Sequence, residues 1–215
     1  YHLTKLGWRD VLLIERSELT SGSTWHAAGG MHTINGDPNV AKLQQYTINL
    51  YKEIEEISGV SCGVHITGGL MLAGTATRFD WLKMVHARGR YLGMDLEFVD
   101  MAEAKRLFPL MEPQYFVGAL YDPIEGHVDP WGVTNAYVKA ATIQGAAVEK
   151  YNRVVELLHR PDGTWDVVTE KGTVHAEHVV NAGGLWAREV GRMVGLELPI
   201  LAMEHQYIIS EEIPE

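Results

Sequence analysis

The sequence feature that most constrains the fold is a short aliphatic run that ends in a carboxylate. A predicted helix over residues 1–6 is ended by Gly7, and DVLLIE follows at residues 10–15. Four consecutive aliphatic residues are typical of a strand buried within a parallel sheet. Helix, turn, buried strand and terminal acid form the second half of a βαβ dinucleotide-binding unit, in which the acid accepts hydrogen bonds from ribose hydroxyls. Glu15 occupies the position of that acid. The alternative is that Glu15 is an ordinary surface carboxylate that follows a buried strand.

Two further segments have the glycine content that lets backbone approach a ligand closely. Residues 19–30, LTSGSTWHAAGG, are small, polar and glycine-rich, which suits contact between backbone N–H groups and an anion or a flat ring. Residues 178–184, HVVNAGG, are predicted to be an apolar strand that runs into two glycines, with a helix over residues 185–194. A strand, glycines and a helix again favour close approach to a dinucleotide.

The segment between these two strand ends contains sequence signals for both helices and strands. Asp37 and Asp129 each precede a proline and are predicted to be helix N-caps, residues 161–163 (PDG) to be a turn, and residues 203–210 to be a strand. We therefore predict α/β combined with α+β: an incomplete FAD-binding Rossmann-like domain with an interleaved substrate domain on a mixed or antiparallel sheet. The predicted parts are 1–60 (FAD-binding domain without its upstream glycine-rich loop), 61–130 (substrate-domain insertion), 131–198 (second part of the FAD-binding domain) and 199–215 (start of a second substrate-domain segment).

Composition excludes several classes of protein. Eighteen Lys and Arg against 28 Asp and Glu give a net charge of −10, which argues against nucleic-acid binding. No apolar run is long enough to predict a membrane span. The single cysteine, Cys62, excludes an internal disulfide framework and favours a reducing, intracellular compartment. The first residue is not Met, so we expect an internal piece of a longer protein; the alternative is a trimmed, compact domain.

The residues alone leave the roles of the histidines open. His127 and Asp129 could be a metal pair, but N-capping explains Asp129 more simply and no third ligand has suitable spacing. The ten histidines lack HxH or HExxH spacing, so no zinc site is predicted. From the residues alone, His26 and His205 are more simply explained as ordinary polar histidines than as functional ones. A non-catalytic nucleotide-binding or regulatory domain is the alternative to an enzyme.

Residues 7–30, GWRDVLLIERSELTSGSTWHAAGG, closely resemble the dimethylglycine dehydrogenase and sarcosine dehydrogenase family. These are FAD-dependent amine oxidoreductases of the D-amino-acid oxidase/glycine oxidase superfamily. The resemblance covers nearly the whole chain and agrees in order and spacing at FPLM (108–111), GHVDPWG (126–132), DGTWDVVTEKG (162–172), VVNAGGLWAREVGRMVGLELP (179–199) and EHQYIIS (204–210). It implies oxidative demethylation of dimethylglycine or sarcosine by hydride transfer to flavin, which gives an iminium ion. A sarcosine or glycine oxidase-type flavoenzyme is the alternative within the class.

The resemblance also implies roles for individual residues. Glu15 would bind the FAD ribose, with Arg16 beside it, and His26 matches the histidine to which the flavin is covalently bonded in some relatives. His205 matches an active-site histidine near the substrate. Gly30 departs from the family, which commonly has Leu there. The complete set of implied cofactor-binding residues is Glu15, Arg16, Ser23, Thr24, Trp25, His26, Ala27, Ala28, Gly29, Gly30, Val154, Ala182, Gly183 and Trp186.

The family further implies partners and compartments. The substrate would be a small N-methylated amino acid, and the electron acceptor an electron-transferring flavoprotein or oxygen. A glycine-rich FAD loop would lie upstream and a tetrahydrofolate-binding region downstream, so we expect the 215-residue piece alone to be inactive. The expected location is the cytoplasm for a bacterial protein and the mitochondrial matrix for a eukaryotic one.

Overall fold

A computed structural model describes residues 1–213 of the chain. The last two residues of the segment predicted at 199–215 therefore lie outside the described residues. The helices are α1 His2–Lys5, α2 Pro38–Ser58, α3 Ala76–Tyr91, α4 Met101–Leu107, α5 Pro130–Ile143 and α6 Ala187–Arg192. The strands are β1 Leu12–Ile14, β2 Gly30–Met31, β3 Gly69–Ala73, β4 Glu97–Val99, β5 Gly118–Asp122, β6 Gly126–His127, β7 Ala147–Glu149, β8 Val154–His159, β9 Trp165–Thr169 and β10 Gly172–Ala176. Short 3₁₀ turns span Ser23–His26, Pro113–Tyr115 and Gly184–Trp186.

The chain divides into two compact units. The first consists of Tyr1–Leu13 with Leu19–Val148, and the second of Ile14–Glu18 with the chain from Glu149 onward. The mixture of helices with several small sheets confirms the predicted α/β plus α+β class. The predicted division at 60, 130 and 198 stays a prediction.

The first unit is built around a three-stranded antiparallel sheet in the order β3-β5-β4. Leu120 of the central strand lies opposite Met71 and Phe98 and packs with Leu82 of α3 in a buried cluster. Ala119, the residue before Leu120, faces the opposite side and packs with Ala104 of α4. Because side chains alternate along a strand, this sheet buries both faces, one under each helix.

Helices α2 and α5 of the first unit begin where the Asp-Pro pairs predict. Asp37 accepts hydrogen bonds from the N–H groups of Asn39 and Val40. Asp129 does the same for the first turn of α5. Each aspartate accepts hydrogen bonds from N–H groups that have no partner inside the helix. The proline that follows has no N–H group, so it leaves no donor to be satisfied. Helices α2 and α5 pack around Leu50, Ile54 and Ala140. Both predicted N-caps are confirmed.

The second unit contains an antiparallel sheet in the order β10-β9-β8. The turn predicted at residues 161–163 joins β8 to β9, where the Arg160 N–H donates to the Thr164 carbonyl and Gly163 has φ of +87°. That left-handed conformation costs glycine little, which is why the sequence specifies the turn.

The structure confirms that β1 pairs in parallel with another strand, but β1 is shorter and more exposed than predicted. The Ala147 N–H donates to the Val11 carbonyl and the Glu15 N–H to the Glu149 carbonyl, each at 2.8 Å, so β1 and β7 run parallel. The strand is shorter than residues 10–15, and it is not buried, since Leu12 and Leu13 are 37% and 42% exposed. Among residues 1–213, β7 is the one strand paired with β1, and a pair of short strands leaves side chains in contact with water.

Three other predicted elements are wrong or too long. Residues 178–182 and 203–210 form no strand, and the predicted helix at 185–194 shortens to α6, preceded by a 3₁₀ turn. A strand needs a hydrogen-bonded neighbour, and within the described part of the chain these two apolar segments have none. Ile208 in the second segment is 96% exposed. No helix among residues 1–213 is long and apolar enough to cross a membrane.

Candidate functional site

The glycine-rich segment of the first unit presents its residues to the surface. The 3₁₀ turn Ser23–His26 is held by hydrogen bonds from the Trp25 N–H to the Thr20 carbonyl and from the Ala27 N–H to the Thr24 carbonyl, at 3.0 and 3.1 Å. All the side chains of residues 23–28 are exposed, and the Trp25 side chain is 65% exposed. Small side chains and two flat rings, Trp25 and His26, give an exposed surface on which a planar ligand can approach the backbone.

The end of this segment is anchored by β6. The Gly29 carbonyl accepts a hydrogen bond of 2.9 Å from the Val128 N–H, and Gly30 pairs with His127 across the strands. Gly29 has φ of +76°, and a Cβ atom at this position would overlap the Val128 carbonyl oxygen. Only glycine can adopt this backbone so close to another chain segment. The motif GHVDP therefore fixes the end of the segment that contains His26.

A buried carboxylate supports the same strand pair. Glu125 accepts hydrogen bonds from the Thr33 N–H at 3.3 Å and lies 3.2 Å from Nδ1 of His32. Burial raises the pKa of the Glu125 carboxyl above its ordinary range, and the contact with His32 opposes that effect. Sequence reasoning missed Glu125, His32 and Thr33. The sequence offers one signal for Glu125, a carboxylate within the segment DPIEG at residues 122–126. Its partners, His32 and Thr33, lie more than 90 residues away in the chain.

The second unit contains Glu15 and brings the next residue, Arg16, into contact with Trp186. The Glu15 carbonyl accepts from the Asn152 N–H at 3.0 Å, and its half-exposed carboxylate accepts from the Ser17 N–H at 2.8 Å. Arg16 lies with its guanidinium carbon 4.6 Å from the centre of the Trp186 ring. Val154, another of the implied cofactor-binding residues, is half-buried at the start of β8. The second unit therefore holds a carboxylate acceptor and, one residue further along the chain, an arginine stacked on a tryptophan.

The glycines after the second predicted strand form a tight turn. The Gly183 N–H donates to Oδ1 of Asn181 at 3.1 Å, and Nδ2 of Asn181 donates to the Ala187 carbonyl at 2.9 Å. Gly184 has φ of +55°, and a Cβ at Gly183 would lie 3.2 Å from Oδ1 of Asn181. Asn181 thus ties the glycines to α6. Ala182 is exposed beside them.

His205 lies in the irregular, exposed stretch that follows α6, in the second unit. The predicted cofactor-binding residues fall into two sets, residues 23–30 in the first unit and Glu15, Arg16, Val154, Ala182, Gly183 and Trp186 in the second. It places His205 in neither a helix nor a strand. Within residues 1–213, no group of three or more His, Cys, Asp or Glu side chains could hold a metal ion.

Comparison with known proteins gives consistent matches. The sequence model of the DAO family, described as FAD dependent oxidoreductase, matches residues 1–215. Dimethylglycine dehydrogenase from Mus musculus is 42% identical over 100% of this chain, and the match spans 25% of that protein. Sarcosine dehydrogenase from Mus musculus is 35% identical over 99% of the chain and 24% of that protein. The chain thus spans about a quarter of these curated relatives.

The fold has solved counterparts. The crystal structure of glycine oxidase from Geobacillus kaustophilus superposes with a TM-score of 0.78 and 28% sequence identity. That match covers 91% of this chain and 54% of the other.

Proposed function

This chain belongs to the family of FAD-dependent oxidoreductases, and on that premise we propose that the protein containing it oxidatively demethylates an N-methylated glycine. Dimethylglycine and sarcosine are the candidate substrates, since the two curated relatives are named for them. The observation that carries the proposal is the exposed segment of residues 23–28, which includes His26, in a chain 42% identical to a dimethylglycine dehydrogenase. A glycine oxidase-type reaction is the second candidate, supported by the superposition on a glycine oxidase.

The residues present fit FAD. Glu15 is a half-exposed carboxylate that follows a parallel strand, which is the acceptor that ribose hydroxyls need. Arg16 and Trp186 supply a flat surface in the same unit, and the turn at Gly183 allows backbone to approach a ligand. Residues 23–30 would line the flavin, with His26 as the position of covalent attachment. When bound, FAD would supply the acceptor for one hydride, which carries two electrons, from the substrate carbon.

The protein would contribute orientation and proton handling. A protonated amine has no lone pair with which to stabilise the developing iminium, so the substrate nitrogen must lose its proton first. His205 is the residue that the resemblance assigns to the substrate. It would contact the carboxylate or the amine of the bound substrate. The iminium carbon is then attacked by water, which releases formaldehyde, or is trapped by tetrahydrofolate bound in a further region of the protein.

The remaining partners follow from the same proposal. The electron acceptor would be an electron-transferring flavoprotein or oxygen. The two curated relatives are named as mitochondrial, which supports the mitochondrial matrix for a eukaryotic source. The cytoplasm is proposed for a bacterial one.

Covalent attachment is tested on the purified full-length protein by acid precipitation. We expect flavin absorbance to stay with the precipitated wild type and to move to the supernatant in His26→Ala. His159→Ala is the matched control, because His159 is an exposed histidine that packs on Trp165 in the second unit. Flavin released from the wild type contradicts covalent attachment but retains the flavoenzyme. No flavin at all favours a non-catalytic nucleotide-binding domain.

The reaction type is tested with dimethylglycine carrying ¹³C in its N-methyl groups. Demethylation places the label in formaldehyde and in the remaining methyl group of sarcosine. A glycine oxidase-type reaction breaks the bond between nitrogen and the α carbon, so it yields glyoxylate and leaves the label in dimethylamine. Labelled dimethylamine would contradict the proposed reaction and support the alternative.

A further inference from the structure

His32 lies directly across from Glu125, one residue beyond the end of β2. Gly30 pairs with His127 and Met31 with Gly126, so the same register places His32 opposite Glu125. Nδ1 of His32 is 3.2 Å from Oε2 of Glu125. The His32 side chain is 67% exposed, whereas Glu125 is buried. The pair therefore joins a buried carboxylate to a ring at the surface.

The carboxylate is held in one position by its surroundings. Its other oxygen, Oε1, accepts from the Thr33 N–H, and the Glu125 carbonyl accepts from the Gly68 N–H at 2.9 Å. A Cβ at Gly69 would overlap Oε2, so the glycine makes room for the carboxylate. A buried carboxylate is stable only when such hydrogen bonds satisfy it. Glu125 is thus a fixed partner for Nδ1 of His32.

The second nitrogen of His32 faces the candidate flavin segment. A Cβ at Gly30 would lie 3.3 Å from Nε2 of His32, so the ring lies over the bare backbone of Gly30. When Nδ1–H donates to a carboxylate, Nε2 has a free lone pair and accepts protons. The arrangement presents a proton acceptor beside residues 23–30, in the same compact unit.

We propose that His32, oriented by Glu125, accepts the proton that an ammonium substrate must lose before it is oxidised. This inference rests on the proposed function. The N–H bond of the substrate ammonium breaks, its electron pair stays on the substrate nitrogen, and the proton forms a new bond to Nε2. The Glu125 carboxylate offsets the positive charge of the resulting imidazolium. Glu125 is a positioning residue in this scheme.

Other titratable groups surround the pair. Asp122, at the end of β5, accepts a hydrogen bond from the Thr33 hydroxyl on the buried side. His127 lies across from Gly30, and its ring stacks on that of His65 with centroids 4.9 Å apart. Any pH profile must therefore be compared between variants, since these groups are common to all of them.

The kinetic test measures anaerobic flavin reduction by dimethylglycine in the full-length, flavin-loaded protein across pH. His32→Gln should slow reduction about 100-fold near neutral pH, the lower range for general base catalysis. The deficit should close at alkaline pH, where the substrate amine loses its own proton. Gly30→Ala keeps the histidine but crowds Nε2, and it should slow reduction in the same pH-dependent way. His159→Gln is the control and should match the wild type.

A second measurement does not depend on turnover. With ¹⁵N-labelled histidine, the His32 signals, assigned by their loss in His32→Gln, should show Nδ1 protonated and Nε2 unprotonated in the neutral imidazole. Replacement of Glu125 by Gln should redistribute the proton between the two nitrogens. The Nε2–H tautomer in the wild type overturns the inference.

The outcomes separate this inference from the proposed function. If no N-methylated amine reduces the wild-type flavin, the proposed function fails, and the inference fails with it. If dimethylglycine reduces the wild type and His32→Gln equally fast at every pH, the inference alone is overturned.

Discussion

The guanidinium of Arg16 lies over the indole ring of Trp186, 4.6 Å from its centre, across 170 residues of sequence. This contact joins the segment after β1 to the turn that precedes α6, within the second unit. It therefore places the two nucleotide-type motifs of the sequence side by side.

The Arg16–Trp186 contact should contribute measurable coupling energy. Cation–aromatic pairs at exposed sites contribute about 0.5–1 kcal/mol. A double-mutant cycle with Arg16→Ala and Trp186→Ala, followed by denaturant unfolding, should give a coupling of about that size. Arg153→Ala, which removes another exposed arginine of this unit, is the control for loss of charge. Strict additivity of the Arg16 and Trp186 variants would show that the contact adds nothing.

Gly29 should be far less replaceable than Gly7. Both have positive φ, +76° and +99°, so alanine strains the backbone at each position. At Gly29 a Cβ would also overlap the Val128 carbonyl oxygen, whereas nothing lies within 4 Å at Gly7. Gly29→Ala should lower the free energy of unfolding by about 1–3 kcal/mol more than Gly7→Ala, the usual cost of overpacking. Equal losses in the two variants would mean that β6 does not confine this segment.

Glu125 should make stability depend on pH in the mildly acidic range. Burial raises the pKa of its carboxyl, so the native state binds more protons than the unfolded state above about pH 4.3, the ordinary Glu value. The free energy of unfolding should therefore fall as pH rises from that value through the raised pKa, by up to about 1.4 kcal/mol per pH unit. Glu125→Gln should remove this fall, as measured by denaturant unfolding at several pH values. If the free energy of unfolding changes with pH in the same way in the wild type and in Glu125→Gln, Glu125 is not the source of the pH dependence.

Cys62 should resist alkylation while the protein is folded. Burial, with a smaller effect of the Glu55 carboxylate, raises the pKa of its thiol to about 11. Since the thiolate is the reactive form, its fraction falls about 100-fold or more relative to an ordinary thiol. Iodoacetamide should modify the folded protein at least that much more slowly than the protein unfolded in denaturant at the same pH. A comparable rate in both states would show that this part of the core opens readily.

Local signals in the sequence predicted the elements that depend on local chemistry. Asp37 and Asp129 cap their helices with hydrogen bonds to residues two and three positions away, and Gly163 completes its turn within four residues. Such interactions are complete within a few residues, so the sequence specifies them without knowledge of the fold.

The features that the sequence did not predict depend on distant partners. The burial of β1 was overestimated because an aliphatic run does not show how many strands will flank it. Glu125 went unnoticed because its hydrogen bond to the Thr33 N–H joins residues 92 apart. For the candidate site, the resemblance named Arg16 and Trp186, and the structure adds their contact. The assignment of individual residues to FAD stays a prediction.

Anaerobic reduction of the flavin in the full-length protein tests the central claim most directly. We expect dimethylglycine or sarcosine to bleach the visible absorbance of the oxidised flavin, and glycine and D-amino acids to leave it unchanged. Bleaching by glycine, with both N-methylated substrates inert, would contradict N-demethylation as the function of this site.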